Sequence, residues 1–138
     1  MILPADYPTS DQWYHRKYKN AMSIVQVKGK PTFFIMMTMD VRCREVLNLL
    51  EPNETPYDRP DIICQVYEMK KQKLMDKITK DMIFGECDGH VHVIEFQKRG
   101  APHCHMLIWI KNFNATPQTI DNIISAELPP PSDPMVQL

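Results

Sequence analysis

Apolar positions along the chain fall into short runs of differing period. Tyr14, Tyr18, Ala21, Met22 and Val25 recur every three or four residues, the spacing of one helical face. Ser10 or Asp11 supplies the cap, and Gly29 with Pro31 supplies the stop. This predicts a helix from Gln12 whose two tyrosines pack inward. Residues 32–39 are apolar on both faces and predict a central strand. Asp40 is placed to cap a short helix carrying Val46, Leu47 and Leu50. Pro52, Pro56 and Pro60 mark a loop. A longer helix then carries Ile62, Val66, Met69, Lys73 and Leu74 along one side. Residues 91–97 and 103–110 read as strands joined by the Gly-containing segment 98–102, a β-hairpin. Thr116 before Pro117 starts a last helix with Ile120, Ile123 and Ile124 on its apolar face. Residues 129–138 open with three prolines and predict an extended or disordered tail.

The fold class implied is α+β: an antiparallel sheet with a central His-x-His strand, flanked by helices. Three strands make a thin sheet, so the domain reads as incomplete. The expected division is an N-terminal extension over 1–11, one domain over 12–128 and the proline-rich tail over 129–138.

Composition changes this picture in three ways. At 138 residues there is room for one domain and none for a motor or second large module. No apolar run approaches the roughly 18 residues that span a bilayer, so no membrane partner is expected. Cys43, Cys64, Cys87 and Cys104 are widely spaced, which fits free thiols in a reducing compartment, nuclear or cytoplasmic. The net charge is only −1, but it is uneven: Arg16, Lys17, Lys19, Lys28 and Lys30 fall in a stretch with no acidic residue between Asp11 and Asp40. Lys70, Lys71, Lys73, Lys77 and Lys80 form a second basic cluster. Taken singly, either cluster reads as a solvated helix face.

The candidate chemistry lies in His103-Cys104-His105. On a strand, residues i and i+2 share a face at roughly 6.5–7 Å, a separation from which two imidazoles can converge on one metal ion. Alone, a pair so spaced is more often structural. The hairpin adds to it. A five-residue loop over 98–102 sets Gln97 opposite His103 and Glu95 opposite His105, with all four on one face. Phe96 and Ile94 then meet Cys104 and Met106 on the other, apolar face. Mixed nitrogen and oxygen donors of this kind hold Mg²⁺, Mn²⁺ or Zn²⁺. Lys98 and Arg99 sit at the hairpin tip, where they could meet phosphate or simply be solvated.

The stretch from Glu95 through His103-Cys104-His105 to Trp109 resembles the histidine-hydrophobic-histidine motif of the Helitron transposon replicase, in its Helitron helicase-like N-terminal domain. Ala21-Met22-Ser23-Ile24-Val25 with Phe33-Phe34-Ile35-Met36-Met37-Thr38 is similar to that family's first motif. Asp58-Arg59-Pro60-Asp61 resembles its central segment, and Asp121-Asn122-Ile123-Ile124 the start of the segment after the histidine strand. The resemblance implies a rolling-circle endonuclease fold, a divalent metal (Mg²⁺ or Mn²⁺) on His103 and His105, and single-stranded DNA as partner. It implies Gln97 as third ligand, with Glu95 in reserve. It also implies a tyrosine nucleophile that leaves a 5′-phosphotyrosine link. The family's paired tyrosines lie beyond the histidine motif, whereas here no tyrosine follows Tyr67. Tyr14 and Tyr18 have the right mutual spacing but fall on the expected packing stripe.

The leading expectation is therefore a C-terminally truncated replicase domain that binds metal and single-stranded DNA and lacks its nucleophile. Lys98, Arg99, Arg16, Lys17 and Lys19 are the expected phosphate contacts. One alternative is an active nicking enzyme with an unusual or partner-supplied tyrosine. The other is a non-catalytic interaction protein or transposon remnant.

Overall fold

The computed structural model describes residues 6–8, 10–97 and 100–124. The proline-rich tail and the hairpin-tip residues Lys98 and Arg99 lie outside these. The elements run α1 (Asp11–Lys28), β1 (Phe33–Thr38), α2 (Arg44–Leu47), α3 (Pro60–Thr79), β2 (Cys87–Phe96), β3 (Pro102–Ile110) and α4 (Pro117–Ile123). The architecture is α+β, with one three-stranded antiparallel sheet in the order β1-β3-β2.

Local chemistry explains most boundaries. The Ser10 hydroxyl accepts the Trp13 N–H at 3.0 Å and caps α1. Gly29, at φ 71°, closes it with an N–H to the Val25 carbonyl. Thr116 caps α4, and Pro117 takes the first turn, where a missing N–H costs nothing. Asp40 does not cap α2. Its carboxylate accepts the Arg42 N–H in a local turn, and Cys43 takes the cap position.

The core lies between α3 and one face of the sheet. Ile62, Ile63, Val66, Tyr67, Met75 and Ile78 of α3 pack with Cys104, Met106, Ile108 and Ile110 of β3. Met69 and Lys73, expected on this side, are exposed, while Lys71 is buried and pairs with Glu68 at 2.7 Å. The Tyr67 hydroxyl donates to the Met37 carbonyl at 2.9 Å, tying α3 to β1. Burial pushes that phenol up to about 12, so it stays a donor.

Two expectations about burial are corrected. β1 is an edge strand, not a central one: Phe33, Ile35 and Met37 face the core, but Phe34 and Met36 are 58% and 61% exposed. An apolar run shows what could be buried and says nothing of what covers it. Likewise α1 buries none of its residues fully. Tyr14 and Tyr18 are 57% and 62% exposed, and the half-buried residues are Trp13, Ala21, Ile24, Val25 and Lys28. The packing stripe keeps Ala21 and Val25 but is turned toward Trp13, Ile24 and Lys28 and away from both tyrosines.

α1 is fastened mainly at its C-terminal end. Lys28 pairs with Asp88 at 2.7 Å. Its side chain crosses Gly89, where a Cβ would meet Lys28 Cε at 2.9 Å. The Trp109 indole N–H donates to the Gly29 carbonyl at 3.0 Å. This covers one end of the sheet face opposite the core and leaves the histidine end open.

Candidate functional site

Strand parity divides β3 between two environments. Cys104, Met106, Ile108 and Ile110 point into the core; His103, His105 and Leu107 alternate with them and are half-buried. The middle position of β3 places neighbours on both sides of the histidines. From β1, Thr38 lies opposite His103 and Met36 opposite His105. From β2, Glu95 lies opposite His103 and Val93 opposite His105.

This register differs by two residues from the one expected. Gln97 faces Ala101, not His103, and its N–H donates to the Ala101 carbonyl. The turn is tighter because Gly100, at φ 78°, returns its N–H to the Gln97 carbonyl. A slip of two preserves parity, so Glu95 still shares the histidine face and takes the position expected of Gln97.

The imidazoles stand edge to face with centroids 4.6 Å apart. His103 Nδ1 and Thr38 Oγ1 are 2.7 Å apart, within hydrogen-bond distance. The Glu95 carboxylate comes within 3.8 Å of His105 Nε2. Phe34 stacks on His105, centroids 5.5 Å apart and planes 9° from parallel. Among the described residues, no three His, Cys, Asp or Glu side chains form a ready coordinating group. The arrangement is instead two imidazoles with an exposed carboxylate to one side.

Thr38 and Phe34 were not legible as site residues, because nothing in the sequence sets the pairing of β1 against β3. The sequence also carries a second His-x-His pair. His90 and His92 stack at 6.1 Å on the core side of β2. Partial burial, then Lys71 and His90, hold His92 below the ordinary imidazole value of 6.5.

Of the expected DNA contacts, Arg16, Lys17 and Lys19 are exposed on α1. Lys17 Nζ lies 5.3 Å from the Trp13 ring centroid. Lys98 and Arg99 lie outside the described residues. A groove of about 700 Å³ runs between α1 and β2, lined by Trp13, Tyr14, Lys17 and Tyr18 on one side and by residues 90–94 on the other. Tyr67 is buried in the core. Among the described residues, no helix is long and apolar enough to cross a membrane.

Comparison with curated proteins gives no match. Comparison with protein families gives the Helitron helicase-like domain at the N-terminus, matched over residues 1–108. The matched span contains α1, all of β1 and β2, and the histidine pair with its neighbours Thr38 and Glu95. The chain belongs to the family of Helitron helicase-like N-terminal domains.

Proposed function

We propose that this domain binds a divalent metal ion, Mg²⁺ or Mn²⁺, at His103 and His105, and engages single-stranded DNA across the same open face. The observation that carries this reading is the placement of both imidazoles and Glu95 on one face of the sheet, away from the α3 core. The donor types, two imidazole nitrogens and a carboxylate oxygen, suit a divalent ion, but the three side chains would have to converge further to ligate it together. When bound, the ion would supply Lewis-acid polarisation of a scissile phosphate. The chain's own residues would hold the strand. Arg16, Lys17 and Lys19, exposed on α1, supply phosphate contacts.

The test is calorimetric titration of Mn²⁺ into the protein, repeated with His103→Ala and His105→Ala, alongside fluorescence anisotropy with a labelled single strand at rising salt. Metal uptake lost in both variants, with DNA affinity falling steeply as salt rises, supports the reading. Uptake unchanged in both variants refutes its metal half, and salt-independent DNA binding refutes the other.

A second reading is favoured by the exposure of Tyr14 and Tyr18. Both line the α1–β2 groove together with Val93, which lies opposite His105. In this reading one tyrosine oxygen bonds to phosphorus, and the departing 3′ oxygen takes up a proton to become a hydroxyl. Incubation with labelled single-stranded DNA and Mn²⁺ separates the two. A denaturation-resistant adduct, lost in Tyr14→Phe or Tyr18→Phe, establishes nicking; its absence leaves a binding domain.

A further inference from the structure

We propose that Thr38 is a positioning residue that holds His103 with its proton on Nδ1 and its Nε2 free to accept a metal ion; the inference rests on the metal-binding reading above. Cross-strand pairing sets Thr38 directly opposite His103. Thr38 Oγ1 lies 2.7 Å from His103 Nδ1. A hydroxyl both donates and accepts, so it can receive the Nδ1–H, and a neutral imidazole with its proton there carries its lone pair on Nε2. Threonine suits the task because branching at Cβ limits its χ1 freedom and keeps the hydroxyl aimed.

The other imidazole is held from the same strand by different means. Phe34, four residues before Thr38 and on the same face, stacks flat against His105. β1 thus braces both rings, one through a hydrogen bond and one through a ring face. The pairing with Glu95 comes from the opposite strand and touches His105, not His103. Among the described residues, Thr38 is therefore the side chain placed to select the tautomer of His103. Groups that orient a liganding histidine through its second nitrogen typically change metal affinity by about 10–100-fold when removed.

The experiment uses the whole chain labelled with ¹⁵N, Zn²⁺ as a diamagnetic probe, and the variants Thr38→Val and Thr38→Ser. Long-range ¹⁵N–¹H spectra of the histidine rings read the tautomer directly, at pH about 8 where imidazoles are neutral. The expected result is a proton on Nδ1 of His103 without metal, and a shift of Nε2 on adding Zn²⁺. Valine keeps the shape and strand preference but lacks the oxygen. Thr38→Val should lose the fixed tautomer and weaken Zn²⁺ binding by about 10–100-fold, and Thr38→Ser should restore both. A proton on Nε2 in the wild-type protein overturns the proposal, as does Zn²⁺ binding unchanged by Thr38→Val. If the wild-type chain takes up no Zn²⁺, the metal-binding reading fails separately, and the metal-free tautomer still decides the role of Thr38.

Discussion

The two faces of β3 are built from alternate residues of one nine-residue strand, yet they meet opposite fates. Toward α3 the strand presents Cys104, Met106 and Ile108, each with no exposed surface. Away from it the strand presents His103 and His105, half-buried and open to solvent at that end. The same backbone hydrogen bonds serve both. The core face anchors the strand against α3, while on the other face Trp109 is buried at the far end, by the C-terminus of α1, and the histidines are not. Chemistry can be placed on an open sheet face because the parity of the strand separates it from the residues that stabilise the fold.

The largest expected effect breaks the core side of this comparison. Met106→Ala or Ile108→Ala removes a fully buried side chain and leaves a cavity beneath α3. Such truncations cost about 2–5 kcal/mol, enough to threaten folding of a domain this size. Urea denaturation measures it. A loss under about 1 kcal/mol would show that the α3 face is not the principal core.

Tyr67→Phe tests a polar tie across the same interface. It removes the donor to the Met37 carbonyl and should cost about 1 kcal/mol. The midpoint of denaturation should shift with no change in slope, since the surface buried stays the same.

The core side of the sheet also carries a pH-sensitive group. His92, on the core side, has its folded value held below 6.5 by partial burial and by Lys71 and His90, with Glu68 opposing. As pH falls below that unfolded value, the unfolded chain takes up the proton first, so stability drops until the folded value is also passed. Above it the group has no effect. Comparing denaturation midpoints at pH about 8 and about 5 should show a loss that His92→Gln reduces. An unchanged pH response in that variant would mean another group carries it. Glu45 acts in a lower window, because backbone and Lys70 hydrogen bonds hold its carboxyl near 2.

How far the sequence revealed all this depended on whether a property was local. Caps, stops and turns are decided within a few residues, so α1, α3, α4 and both hairpin strands were legible, although β2 starts at Cys87, ahead of the expected residue 91. The parity that sets Glu95, His103 and His105 on one face was legible too, because a slip of one would have put Glu95 on the apolar face with Cys104 and Met106. Register was not. Whether Gln97 faces Ala101 or His103 rests on the backbone angle of Gly100, which the residue names do not state. Nor was the cover over each apolar stripe legible. Residues 33–38 and the Tyr14–Tyr18 stripe are apolar enough to be buried, but only the placement of α3 and the C-terminal anchorage of α1 decide what reaches them. The contribution of Thr38 and Phe34 depends on β1 pairing with a strand some 65 residues away, which is a tertiary fact.

The smallest expected effect sharpens the comparison most, because it asks whether the histidine face is open at all. Met36 sits opposite His105 with 61% of its surface exposed, and its neighbour Ile35 packs toward the core. Met36→Thr removes an exposed apolar side chain and installs a residue that favours strands. Its cost should stay within about 0.5 kcal/mol. Ile35→Thr, one residue earlier, places a hydroxyl against the core cluster and should cost about 1–3 kcal/mol. The pair shares a strand, a replacement and an edge position, so the difference between them isolates the face. Denaturation of the two variants, with gel filtration of the wild type at two concentrations, measures it. Equal losses, together with a concentration-dependent elution volume, would mean that Met36 and Phe34 are covered by a second copy of the chain in solution. The histidines would then lie at an interface, and the solvent access that the metal and DNA readings need would be gone.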